Sequence, residues 1–515
     1  MPRIDHQHPP EAIFMRAPES SGEAAAAAGG LDPEDWVACR RQGHRMLDDM
    51  FDYLQTIRER PVWQPAPPAV RQRFTEALPG RPSSLEAVHD DFMRDILPYT
   101  VGNAHPGFMG WVHGGGTVAG MLAEMLAGGL NANLGGRDHI PIEVERQVLR
   151  WVIELFDFPQ DASGLFLTGS SMANMIGVLV ARTRALGTTV RAQGTARMRA
   201  VPVAYASTLA HGCIAQAMDL AGLGREQLRP IAVDAQGRMR LDELRARIAQ
   251  DRARGFQPFL VVGTAGTVDT GAIDDLAGLA RIAAGERLHF HVDGAFGALA
   301  MLSPKLAPRL DGIAQADSIA FDFHKWLQVP YDAGFVLVRD RQLHLDTFST
   351  QHGTYLSRAG RGLAAGSPWP SDFGPDLSRG FRALKTWFTI KVHGTQRLGE
   401  MIAASCTLAR VLAARIGGNP ALELLAPVAL NIVCFRYVGH GDGRVDAGRV
   451  DAINRALVVA VQESGIAAPS ATVLGGQAAI RVALFNHRTR EQDIDALLRA
   501  VLASGASLQS DGGIV

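Results

Sequence analysis

Lysine is scarce in this chain: four lysines stand against 47 arginines. One of them, Lys325, ends the run Ser318-Ile319-Ala320-Phe321-Asp322-Phe323-His324-Lys325-Trp326. A lone lysine after an apolar strand is ordinarily a surface residue. Here Phe321, Phe323 and Trp326 surround it with apolar bulk, which favours a neutral, nucleophilic amine. Upstream, the apolar run His289-Phe290-His291-Val292 ends in Asp293, and Gly294 and Ala295 follow. Such small residues let a flat ring approach the strand end. One strand ending in a carboxylate and another ending in a His-Lys pair suit pyridoxal 5'-phosphate (PLP). The amine forms a Schiff base with the aldehyde, and the carboxylate keeps the pyridine nitrogen protonated so that the ring accepts electrons.

Three further motifs fit the same chemistry, each with a plainer reading beside it. Leu167-Thr168-Gly169-Ser170-Ser171-Met172-Ala173-Asn174 places small polar residues between an apolar strand and an apolar-periodic helix. Helix-start amides and serine hydroxyls make a phosphate cup there, although a simple N-cap explains Ser170 or Ser171 equally well. His211, in Leu209-Ala210-His211-Gly212-Cys213, is either a cap or an imidazole for stacking on a ring. The Gly- and Thr-rich stretch from Gly263 through Thr267 to Asp275 is either an ordinary βα loop or part of the cofactor site. No GxGxxG opens a helix after a strand and no GxxxxGK[ST] occurs, which removes support for nicotinamide cofactors and P-loop nucleotides.

Composition narrows the class. With 515 residues and 47% apolar content the chain can bury a large core, in two or three structural units. A net charge of −1 gives no electrostatic case for nucleic acid or a membrane surface. No apolar run approaches the ~20 residues that span a bilayer. Cys39, Cys213, Cys406 and Cys434 lie far apart, without metal-ligand spacing, and read as free thiols of a cytoplasmic protein. No metal site is expected, and His6 and His8 fall in a solvated tail.

The elements that position these residues follow from periodicity. Residues 1–30 read as a disordered tail. From Asp32, with Pro33 at the first helical position, apolar residues recur at helical spacing to Arg60, and a second helix is expected over Ser84–Leu97. These helices have too few apolar positions for a core of their own. Candidate strands are Gly164–Thr168, Val201–Tyr205, Pro230–Val233, Phe259–Gly263, His289–Asp293, Ser318–Phe321 and Gly334–Val338. Helical stretches such as Ser171–Ala185 and Leu241–Arg254 lie between most of them. This alternation argues for an α/β fold with a mostly parallel central sheet, whose strands end in Thr168, Thr264, Asp293 and His324-Lys325. A long helix from near Gly380 leads into a small C-terminal α+β unit, with strands at Asn431–Tyr437 and Gln477–Leu484 and a last helix over Glu491–Leu502. The expected division is 31–104 helical, 105–390 large domain and 391–515 small domain.

Taken together, Ala316-Asp317-Ser318 through His324-Lys325-Trp326, Val329-Pro330-Tyr331-Asp332, His291-Val292-Asp293-Gly294-Ala295, His105-Pro106-Gly107-Phe108 and Phe381 through Phe388 resemble the group II PLP-dependent amino-acid decarboxylases. That group includes the aromatic-L-amino-acid, tyrosine, histidine and glutamate enzymes, and the resemblance runs from about Asp32 to Leu502. It implies PLP fold type I (aspartate aminotransferase-like) and a homodimer with a shared active site, which residues 31–104 help to form. It implies Lys325 as the Schiff-base lysine, Asp293 as the pyridinium partner and His211 stacked on the ring. Ala295 then packs on the other face, with Ser170, Ser171, Thr267 and His324 around the cofactor. Tyr355 matches a tyrosine on a mobile loop that closes over substrate. Asn103, Trp111, His113 and Tyr331 fall in the substrate pocket. Asn103, the Trp111-Val112-His113-Gly114 stretch, Asn131, Asn133, Gly294 and Met172 depart from the aromatic-specific members, so aromatic, acidic and small polar substrates all stay open. The implied reaction is decarboxylation to an amine. The alternatives are an aldehyde-forming oxidative deamination, against which Tyr355 argues, and a PLP-binding partner protein without turnover.

Overall fold

The computed structural model describes residues 30–196, 198–349, 357–439 and 447–510. Its central sheet comprises β1 (Ser163–Leu167), β2 (Pro202–Ser207), β3 (Leu228–Ile231), β4 (Gln257–Thr264), β5 (His289–Asp293), β6 (Ser318–Asp322) and β7 (Gly334–Val338). The spatial order is β1-β7-β6-β5-β4-β2-β3, and only β7 runs against the others. All seven expected strands form, with ends shifted by at most two residues. β2, β5, β6 and β7 are buried at every residue, as a sheet covered on both faces requires.

The period-two alternation of the strands feeds two cores. Phe166, Ile319, Phe321, Phe335 and Leu337 pack against Val148, Val152 and Phe156 of the helix Ile140–Phe156. The intervening residues Leu165, Leu167, Ala320, Val336 and Val338 face Ala173, Ile176 and Val180 of the helix Ser170–Leu186. That second helix starts right after β1 and so delivers its N-terminus to the carboxyl ends of β5 and β6. Gly334 allows this approach: a Cβ there would run into the backbone of Gly169.

The helix Arg382–Gly417 crosses the expected 390/391 boundary and kinks at Gly394, whose φ is 68°. Its first half packs on the large core through Ala383, and its second half packs on the small core through Leu412 and Ile416. The small unit is an antiparallel sheet of β8 (Leu422–Leu424), β9 (Ile432–Tyr437), β10 (Ser470–Leu474) and β11 (Gln477–Ala483), in the order β10-β11-β9-β8. The sequence pattern missed both edge strands. β8 has only three residues, and β10 alternates buried with exposed positions along a half-wet edge. The last helix, Glu491–Ser510, is longer than expected.

The first helix spans Trp36–Gln55, and its cap is Asp35, which accepts hydrogen bonds from the Val37 and Ala38 amides. The Asp32-Pro33 start expected from sequence therefore moves by three residues, because a second Asp-containing turn lies closer to the apolar periodicity. Ser84 does cap the helix Leu85–Asp91. No residue of Trp36–Gln55 is buried, and Trp36 and Val37 are 63% and 75% exposed. Among the described residues, no helix is long and apolar enough to cross a membrane.

Candidate active site

The carboxyl ends of β4, β5 and β6 meet in register: Thr264 pairs with Asp293, and Asp293 with Ala320. β6 ends at Asp322, and a four-residue helical turn, Phe323–Trp326, follows it. This turn brings Lys325 back over the strand end, three residues from Asp322. Lys325 Nζ lies 2.7 Å from Asp322 Oδ2 and 3.4 Å from Ser170 Oγ. The lysine side chain is 18% exposed while that of Asp322 is 1% exposed, so the amine faces an opening from a buried carboxylate. The turn is anchored from below. Trp326 is fully buried with its indole N–H on Ser405 Oγ at 3.2 Å, and Gln328 bridges the Phe485 carbonyl (2.7 Å) and the Gly115 amide (2.8 Å).

Asp293 is buried, and burial pushes its carboxyl above the usual carboxylate range. Nearby Lys325, Asn174, the Ala295 amide and His211 oppose that rise. The Ala295 N–H donates to Asp293 Oδ1 at 3.2 Å, which aims the carboxylate along the strand end. Gly294 is explained locally, since a Cβ there would meet the Ala298 Cβ.

His324 is buried, and its Nδ1 accepts from the Ala333 amide at 3.0 Å. Burial lowers its pKa to about 4, so the ring is neutral with its hydrogen on Nε2, on the side of Asp322. Tyr331 lies over His324 with ring centroids 4.3 Å apart. His113 meets the Tyr331 edge at 5.7 Å, and Phe108 and Trp111 stack beyond His113. An aromatic wall therefore leads from the outer lip to the lysine. The loop carrying it is pressed on the Lys325 turn at Gly114, where a Cβ would strike the His324 and Lys325 carbonyls.

These residues fit PLP. Helix Ser170–Leu186 offers the unpaired amides of its first turn and the Ser170 and Ser171 hydroxyls, beside the amine of Lys325. Buried polar atoms around the same strand ends lack partners among the described residues: Ser207 Oγ, Thr264 Oγ1, Asp322 Oδ1 and His113 Nδ1. A polar ligand answers such atoms better than an apolar one. His211 precedes the helix Cys213–Leu220, is exposed, and turns Nδ1 to the Cys213 amide at 3.2 Å.

The remaining expected residues divide. Thr267 is buried, but its hydroxyl accepts from the Ala272 amide and pairs with Thr270 Oγ1, both at 3.0 Å, which commits it to its own loop. Asn103 reaches the Gly114 carbonyl (3.2 Å), and Asn133 caps the Gly135 and Arg379 amides, so each secures a loop. Tyr355 lies outside the described residues. Sequence reasoning quoted Asp322 and Asn174 without giving either a role. Their signals were present: an acid three residues before the lysine, and an amide one helical turn into the serine-rich helix.

A family model described as "Pyridoxal-dependent decarboxylase conserved domain" matches residues 67–438. The aromatic-L-amino-acid decarboxylase of Bacillus atrophaeus is 30% identical over 472 residues, covering 90% of this chain and 95% of that protein. The phenylacetaldehyde synthase of Arabidopsis thaliana is 28% identical over 477 residues, covering 90% of this chain and 95% of that protein. In fold, the chain matches Oryza sativa TDC, solved with PLP and tryptamine, with TM-score 0.84 and 22% identity, over 92% of this chain and 99% of that one. Mouse CSAD matches with TM-score 0.84 and 24% identity, over 92% of this chain and 99% of that one.

Proposed function

The chain belongs to the pyridoxal-dependent decarboxylase family, and from that premise we propose that this PLP-dependent carboxy-lyase converts an aromatic L-amino acid to its amine and CO2. The observation that carries the site assignment is the Lys325 amine, held between Asp322 and Ser170 at the strand ends beside Asp293. Bound PLP supplies an electron sink for the pair left at Cα when the carboxylate departs as CO2.

The chain's own residues set up that event. Asp322 Oδ2 holds Lys325 Nζ at the strand ends, where the amine would take the cofactor aldehyde. With PLP bound, Ser170, Ser171 and the helix-start amides would hold the phosphate, Asp293 would accept from the ring nitrogen, and His211 and Ala295 would face the ring. The rings of Trp111, His113 and Tyr331, backed by buried Phe108, offer flat surface to an aromatic side chain. That wall, with the names of the relatives, supports an aromatic substrate over an acidic one. Tyr355 or His211 would return the proton to Cα. The working form is a homodimer, whose partner covers the bare apolar positions of the first helix.

One finding favours a second reading: a relative named phenylacetaldehyde synthase. In that reading molecular oxygen intercepts the carbanion, and aldehyde, ammonia and peroxide replace the amine. Tyr355 argues against it, because a phenol at the closed site returns the proton first. The test is CO2 release from a panel of aromatic, acidic and small polar L-amino acids, with amine and aldehyde measured together for wild type and Tyr355→Phe. Aromatic substrates and an amine product are expected from wild type, with a shift toward aldehyde in the variant. Turnover of acidic substrates alone overturns the aromatic assignment. Equal amine-to-CO2 ratios in the two proteins remove Tyr355 as proton donor.

A further inference from the structure

Behind Asp293 a line of buried polar groups crosses the domain. The amide nitrogen of Asn174, a fully buried residue, faces the Asp293 carboxylate and Cys213 Sγ, the latter at 3.3 Å. The Asp293 carboxylate only accepts, so the amide nitrogen faces it and Asn174 Oδ1 is the atom that faces His291 Nε2, at 2.7 Å. An amide oxygen cannot donate, so Nε2 carries the hydrogen. Burial, with His289 beside it, lowers the His291 pKa to about 3, so the ring is neutral and Nδ1 is a bare acceptor. Ser318 Oγ, 2.7 Å from that Nδ1, must therefore donate to it. The same Oγ then accepts from His289 Nε2 at 2.8 Å. His289 Nδ1 ends the line with no partner among the described residues, in a cavity of about 490 Å3 that Arg184, Asp317 and Arg339 also bound.

Each hydrogen assignment forces the next, and all of them point the same way: His289 to Ser318 to His291 to Asn174 to Asp293. Hydrogen bonds aligned head to tail polarise one another and strengthen the last acceptor. The packing is cut for this line. Gly177, on the helix that carries Asn174, lies against the His291 ring, and a Cβ there would come within 2.5 Å of it. Neutral core histidines could fill the space without any such order. The fixed direction, ending on the one carboxylate at the strand ends with a cofactor role, is what sets these apart.

We propose that His289, Ser318, His291 and Asn174 form a one-way hydrogen-bond chain that holds Asp293 as an acceptor toward the cofactor's ring nitrogen, with Asn174 and His291 as positioning residues for the decarboxylation. This rests on the reading of Asp293 given above. The other groups facing Asp293 are Lys325, His211, Cys213 and the Ala295 amide. None of them can replace Asn174 from the helix side. With the chain broken, the carboxylate is the stronger base, and the shared proton shifts from the ring nitrogen toward Asp293.

The experiment loads the enzyme with PLP labelled with 15N in the ring and follows the nitrogen's NMR shift against pH, together with kcat and KM. Asn174→Ala should move the ring 15N shift toward the unprotonated value and cut kcat about ten- to hundredfold at nearly constant KM, the scale of one hydrogen bond to a charged group. Ser318→Ala should act in the same direction with a smaller effect. His291→Gln keeps an N–H toward Asn174 and should restore much of what His291→Leu loses. An unchanged 15N profile in Asn174→Ala and Ser318→Ala overturns the proposal, even if kcat falls, because a merely structural role predicts that result. Equal profiles for His291→Gln and His291→Leu overturn it as well. If the larger changes fail to fold, Ser318→Ala, which removes a single oxygen, decides alone. Asp293→Asn separates the two ideas: an unchanged ring-nitrogen shift there would refute the role of Asp293 itself.

Discussion

Replacing Asp293 by Asn should make the cofactor-free protein more stable and the enzyme far slower. Asp293 is 3% exposed, and burial raises its folded-state pKa, with only partial relief from Lys325, Asn174 and the Ala295 amide. The unfolded chain releases that proton near pH 3.9. Between that value and the raised folded value, the folded chain holds a proton that the unfolded chain has lost. Stability therefore falls as pH rises through the interval, and the cost is constant above it. An amide of the same shape removes this cost while keeping an oxygen for the Ala295 amide. The expected gain for the apoprotein at pH 7.5 is about 0.5–2 kcal/mol, the common scale when a functional strain is relieved. Below pH 4 the gain should shrink, because wild-type Asp293 is then neutral too. With PLP bound, the missing charge-assisted hydrogen bond to the ring costs about 1.5–3 kcal/mol, or roughly ten- to hundredfold in kcat. Denaturant titrations of both apoproteins at pH 7.5 and pH 4, with steady-state kinetics of the loaded enzymes, check this. An apo variant less stable than wild type at pH 7.5, or one with wild-type kcat, would refute the reasoning.

Three further outcomes follow from the same geometry. Borohydride reduction and peptide mapping should place the pyridoxyl group on Lys325, and a label on Lys305, Lys385 or Lys391 would sink the assignment; Lys385 is buried and already paired with Glu124. Deleting residues 31–104 should weaken the dimer and expose apolar surface, seen by sedimentation and dye binding, whereas an active monomer would contradict the assembly. Gly334→Ala should push the helix start at Gly169 away from Lys325, costing about 1–3 kcal/mol of stability and weakening PLP binding. A wild-type PLP Kd in that variant would show that this close approach is not needed.

Much of the site was legible because its signals are local. The apolar runs ending at Asp293 and His324-Lys325 declare themselves by residue type, and ligand sites in parallel sheets lie at such strand ends. The helix behind Ser170 follows from its period. Legibility was lower where a residue's role depends on what the fold carries to it. Thr267 has a type and position suited to a cofactor, yet its hydroxyl is consumed by its own loop. Asp32 and Asp35 are both credible caps, and only the chain's path chose Asp35.

The sequence by itself placed these groups within a few residues of strand ends, because burial alternation and helical period are written over spans of ten residues or fewer; that His324 and Lys325 sit on a helical turn after β6 was not written there. Tertiary structure alone decided their company. Asn174 and His291 lie 117 residues apart and share a hydrogen bond only because β5 packs beneath the helix that follows β1. Gly334 and Gly169 touch only because β7 returns antiparallel beside β1. Contacts of that separation depend on strand order and register, which are properties of the whole sheet's packing and have no counterpart in any local run of residues.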